Sequence, residues 1–172
     1  MTDPAGNASS TVGLRQPLLL RLLHAAAVLA VFAAWLSGLL SALRHDGRLA
    51  ALHLQPPGDW IDLHSAIGEI TTPIALFFGL YAITVGRWRL RRPSNAAALL
   101  ALALAVGSGQ FMDEDWLLDG RIHHPLYSLH LTAWLIITAV VSWHVVGVLR
   151  RGGLSLAASV LLTPASSQAV KQ

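Results

Sequence analysis

Four apolar stretches restrict this chain more than any other feature of its sequence. A hydrocarbon core about 30 Å thick takes about 20 apolar residues at 1.5 Å each to cross as a helix. Residues 17–42, 61–86 and 124–149 meet that length, and 95–111 is shorter and rich in alanine. With 54% hydrophobic and 12% charged residues among 172, the balance is too apolar for a soluble domain of this size. The expectation is an all-α integral membrane four-helix bundle, running up-down-up-down, in which the shorter stretch supplies the third helix. A polar leader, 1–16, precedes the bundle and a tail, 150–172, follows it. Neither an internal repeat nor a separate soluble domain is legible.

The connections fit such a bundle. Pro56, Pro57 and Gly58 break the first, and Arg92-Pro93-Ser94-Asn95 breaks the second and caps the third helix. After Gly152 and Gly153 the stretch 154–162 is too short to span and reads as a surface segment or a frayed end. Arginine sets the orientation. Arg87, Arg89, Arg91 and Arg92 crowd the second connection, Arg15 and Arg21 flank the first helix, and Arg150, Arg151 and Lys171 follow the last. By the positive-inside rule both termini are cytoplasmic and the membrane is the inner, plasma membrane, crossed several times.

The opposite face carries Asp46, Asp59, Asp62, Asp113, Glu114, Asp115 and Asp119 against Arg44, Arg48 and Arg121, so the outer surface is expected to be acidic. Trp60, Trp88 and Trp116 fall at boundaries and read as interface anchors. The segment Phe111-Met112-Asp113-Glu114-Asp115-Trp116 reads as a solvated acidic loop. The sequence pI near 10.2 reflects these topological arginines rather than a nucleic-acid face. There is no cysteine, which excludes disulfides, thiolate metal sites, iron-sulfur clusters and thioether-linked haem.

Four of the eight histidines lie inside apolar helices: His24 in the first, His64 in the second, His130 and His144 in the fourth. A buried ionisable group in lipid is expensive and calls for a partner inside the bundle. With helices alternating in direction, His24 and His144 fall near the cytoplasmic face, and His64 and His130 near the outer one. The rise from His130 to His144 is about 21 Å, and their directions differ by only about 40°. Two pairs at matched heights are what two six-coordinate haems require. Gly68 one turn from His64, Gly147 after His144, and Ala25 to Ala27 beside His24 leave flat space next to the ligands. His45, His53, His123 and His124 read as exposed loop or interface residues. Glu69, five residues after His64, is the carboxyl placed within a span and is a candidate proton relay.

Taken together, Arg21-Leu22-Leu23-His24, His64-Ser65-Ala66-Ile67-Gly68 and the pair His130 and His144 resemble the ligand motifs of the bacterial diheme cytochrome b561 family. That family includes the b-type cytochrome subunits of nickel-iron hydrogenases, and the segment from Phe111 onward resembles members with a cytochrome b/b6-type domain. The resemblance covers nearly the whole chain, with Ala25 in place of an aromatic residue and no arginine late in the second helix before Arg87. It implies two haem b, one held by His24 and His144 on the cytoplasmic side and one by His64 and His130 on the outer side. It also implies electron transfer between a quinone or quinol and an unidentified redox protein, alone or as the membrane subunit of an oxidoreductase. Two other readings stand beside it. A transporter or sensor would use the histidines for a metal ion or protons, and a cofactor-free anchor would leave them unexplained.

Overall fold

The computed structural model describes residues 17–112 and 115–161. The leader 1–16 with Arg15, the acids Asp113 and Glu114, and the tail from residue 162 with Lys171 lie outside the described residues. Every regular element among those described is helical: α1 (Leu18–His45), α2 (Trp60–Ile83), α3 (Pro93–Gly109), a single turn α4 (Asp115–Leu118) and α5 (Pro125–Leu161), with 3-10 turns at Gly47–Leu52 and Arg87–Arg91. Three of these, α1, α2 and the part of α5 over Pro125–Leu154, are long and apolar enough to cross a membrane. The 17 residues of α3 rise about 26 Å, less than a full hydrocarbon core.

Local chemistry sets the boundaries. In α1, Arg44 occupies the last turn, where its positive charge suits the exposed carbonyls. The helix stops at Asp46, whose backbone is extended. Asp59 caps α2 by accepting from the Asp62 N–H at 3.2 Å. At its far end Gly86 folds onto the last turn, with its N–H donating to Tyr81 O at 2.8 Å. An added Cβ there would lie 3.2 Å from Ala82 Cα and 3.3 Å from the Ala82 and Tyr81 carbonyl oxygens, a tight approach that favours glycine. The third helix begins two residues earlier than the spacing predicts, because Pro93 at the first position brings its fixed φ to the helix start. The cap position is Arg92, within the expected segment, and the Asn95 side chain donates to Arg89 O at 2.9 Å. The fourth long helix passes the expected limit at 149. It kinks at Gly153, which adopts φ 58°, and continues to Leu161.

Helix α1 packs along α2 and α3 along α5, and contacts of α1 with α5 and of α2 with α3 join the two hairpins. Ala101, Leu102 and Ile137 form the centre, flanked by Val31, Phe78 and Val140. Large apolar side chains point outward, Leu29 at 71% exposure and Leu76 at 68% among them. In water such a surface would drive association, and in lipid it is the solvated face.

Candidate cofactor site: two histidine pairs

His64 is the fifth residue of α2 and His130 the sixth of α5, so both lie at the end of the molecule that carries the 46–59 and 110–124 connections. The two imidazoles face each other with ring centroids 6.0 Å apart and planes at 57°. Each is held by a serine from the neighbouring helix of its own hairpin. Ser37 Oγ lies 2.9 Å from His64 Nδ1, and Ser108 Oγ lies 2.9 Å from His130 Nδ1.

The proton positions follow from what the serines do with their own hydrogens. Ser37 O–H donates back to Ala34 O at 3.2 Å and Ser108 O–H to Ala105 O at 3.1 Å. A hydroxyl has one hydrogen, so each serine oxygen is left to accept from Nδ1–H. The Ala34 and Ala105 carbonyls, which can only accept, lie beside the same ring hydrogens. With the serine hydrogens on those carbonyls, each ring carries its proton on Nδ1 and presents an unprotonated Nε2, the form in which imidazole binds a metal.

Glycines complete the fit. A Cβ on Gly38 would meet His64 Cε1 at 3.0 Å, and one on Gly109 would meet His130 Cε1 at 3.1 Å. The device therefore occurs twice: Ser-Gly near the end of one helix, histidine near the start of its partner. A cavity of about 380 Å³ opens beside the pair, lined among others by Trp35, Gly68, Glu69, Gln110, Met112 and Trp134. Trp35 and Trp134 stack at 5.4 Å and 11° and are locked by Trp35 Nε1–H donating to Thr138 Oγ1 at 2.8 Å. A Cβ on Gly68 would meet nothing within 4 Å, so the space beside it is open. Glu69 lies at the cavity edge with its side chain exposed. Nearby, Gln110 Nε2 donates to Thr72 Oγ1 at 3.0 Å.

His24 and His144 are close enough for their charges to interact. Both Nδ1 atoms are buried without a hydrogen-bond partner, as is Nε of Arg21. Phe78 packs its edge on His24 at 5.9 Å. The space expected beside Gly147 is taken by the Arg151 guanidinium, 3.1 Å from where a Cβ would stand. Among the described residues no three His, Asp or Glu side chains converge as a bare metal ion would need.

The remaining polar residues divide differently from the sequence expectation. Asp46 does not join an acidic surface, since its side chain is only 2% exposed. It accepts from Arg48 Nη2 at 2.6 Å, from the Arg48 backbone N–H at 2.9 Å and from the Tyr127 hydroxyl at 2.8 Å, tying the end of α1 to the start of α5. Burial alone would raise its pKa, but the hydrogen bonds from Arg48 and Tyr127 and the Arg48 charge outweigh it and hold the carboxyl below its ordinary value. The His124 ring lies against Trp116 with centroids 3.7 Å apart and planes tilted by 34°, and His53 and His123 are exposed. Sequence reading missed Ser37, Ser108, Gly38, Trp35, Trp134 and Tyr127. The Ser-Gly dipeptide repeated near the ends of the first and third apolar stretches was the available signal. The chain matches no protein-family model, no curated protein and no solved structure.

Proposed function

We propose that this protein is a membrane-bound diheme b-type cytochrome that passes electrons between the quinone pool and a redox protein. The observation that carries the reading is the opposed pair His64 and His130, two imidazoles with ring centroids 6.0 Å apart, each with its Nδ1 held 2.9 Å from a serine hydroxyl. His64 and His130 would hold the iron between them, and their separation leaves room for it. The donor set also fits in kind, because two imidazoles would be enough to hold a haem, whereas a bare zinc ion wants about four ligands together. The cavity and the open space at Gly68 supply room next to the pair. His24 and His144, whose Nδ1 atoms lack partners, hold the second group.

Haem iron supplies one-electron ferric/ferrous chemistry when bound, and the chain supplies ligation, orientation and a low-dielectric setting. The proposed topology has α3 as a fourth crossing, helices running up-down-up-down, and both termini in the cytoplasm of a plasma-membrane protein. Arginines 87, 89, 91, 92, 150 and 151 support that orientation. Glu69, at the cavity edge on the outer side, is the carboxylate positioned to take up the protons that a quinol releases. A reduced-minus-oxidised spectrum and a pyridine haemochrome assay on the purified chain test the reading. Two b-type haems are expected, with one lost in His130→Ala and the other in His144→Ala. A chain expressed with ample haem that shows no visible absorbance refutes it.

A further inference from the structure

We propose that Ser37 and Ser108 are positioning residues that set the redox potential of the outer site, making it electronically distinct from the inner one; the proposal rests on the haem reading above. The two sites use the same side chain, histidine, but not the same surroundings. At the outer site each Nδ1 lies 2.9 Å from a serine oxygen, and each serine is aligned by its own bond to a backbone carbonyl one turn back, which leaves that oxygen to accept from the ring. At the inner site both Nδ1 atoms are buried with no acceptor.

An acceptor on Nδ1–H pulls the ring toward imidazolate character and makes Nε2 a stronger donor. A stronger donor favours the ferric over the ferrous ion, so the braced site has its potential lowered and the unbraced site does not. The brace also fixes the ring about its Cβ–Cγ axis, and the adjacent glycines leave the ring its place, since a Cβ on Gly38 or Gly109 would stand 3.0 or 3.1 Å from Cε1. Neither role needs the serine to touch the bound group.

The test is a redox titration of the full chain, in detergent, of wild type and the Ser37→Ala/Ser108→Ala double variant, with the ferric low-spin EPR spectrum recorded alongside. The double variant is expected to keep two haems, to raise one midpoint by up to about 59 mV, a tenfold change in ferric preference, and to leave the other in place. The EPR signal of the shifted haem alone should change as its rings gain freedom. Unmoved midpoints, a fall, or equal shifts at both haems overturn the proposal. Should the double variant lose one haem, Ser37→Thr/Ser108→Thr, which keeps both hydroxyls, is expected to restore it, and failure to do so overturns the proposal. A wild type without haem would instead sink the reading beneath it, whereas two haems with unmoved midpoints sink the serine assignment alone.

Discussion

Replacing Gly38 by alanine tests whether His64 is held where the geometry places it. At an unremarkable helical position this change stabilises, since alanine exceeds glycine in helix propensity by about 0.8–1.0 kcal/mol. At Gly38 the new Cβ would stand 3.0 Å from His64 Cε1 and 3.4 Å from each ring nitrogen. Relaxed carbon contacts lie at about 3.5–4.0 Å, so the ring must withdraw by about 0.5 Å or more. Because Ser37 precedes Gly38 on the same helix, the withdrawal also stretches the 2.9 Å bond to Nδ1. Overpacking costs about 1–3 kcal/mol and a lost hydrogen bond about 1 kcal/mol more. Both outweigh the propensity gain, leaving a net destabilisation of about 1–3 kcal/mol.

The same arithmetic applies to Gly109→Ala, whose Cβ would lie 3.1 Å from His130 Cε1. Gly107→Ala, two residues away, meets nothing within 4 Å and should gain stability by up to about 1 kcal/mol. Unfolding of the three variants by sodium dodecyl sulfate in mixed micelles, followed by circular dichroism, gives the ranking, and the visible spectrum reports the site. If Gly38→Ala is as stable as Gly107→Ala and its spectrum is unaltered, the close packing of glycine on imidazole is refuted.

Gly68→Leu places a side chain in open space beside the cavity, so it should fold normally by circular dichroism yet bind less haem per chain. Tyr127→Phe removes a hydrogen bond to a buried carboxylate and should cost about 1.5–3 kcal/mol in the same micelle assay. The Asp46 carboxyl titrates lower in the folded protein than in the unfolded chain, so its stabilising contribution is complete above an unfolded-state pKa of about 3.9 and is lost as pH falls through the lower folded value. The stability gap between wild type and Asp46→Asn should therefore be constant above pH of about 4 and close below it; a gap that closes on the alkaline side would contradict the assignment.

Helix positions were legible because lipid leaves one strong signal, apolar length, and α1, α2 and α5 follow it to within a few residues, save where α5 runs on beyond its predicted end. The histidines were legible for the same reason, since a polar ring inside such a stretch stands out. Their setting was not. Ser37 and Ser108 look like ordinary small residues of membrane helices, and only the lateral packing of α1 on α2 and of α3 on α5 shows that each faces an imidazole. Gly109 is one more small residue at the end of an alanine-rich stretch, but what it accommodates is a ring edge. Asp46 read as surface because it follows a helix end, and its burial depends on Tyr127, 81 positions away in sequence. Such pairings carry no periodicity, so pattern reading has nothing to detect.

The two histidine pairs are assembled by different logic, and the difference bears on how the site forms. At the outer pair each hairpin completes its own half: α1 supplies Ser37 and Gly38 to His64 on α2, and α3 supplies Ser108 and Gly109 to His130 on α5. Each ring is thus oriented within its hairpin, and docking of the hairpins has only to set the 6.0 Å between rings. The Trp35–Trp134 stack, one indole from each hairpin, sits at that junction and is locked to Thr138 on α5. The inner pair has no such halves, because His24 on α1 and His144 on α5 come from different hairpins and neither Nδ1 has an acceptor. Its alignment depends on the packing of α1 against α5 and on the edge of Phe78 against His24. Preorganisation by a supporting hydrogen bond lowers the cost of ordering a ligand on binding, so on the proposed haem reading the His64–His130 pair is the ready-made site and the His24–His144 pair would be ordered by the group it holds.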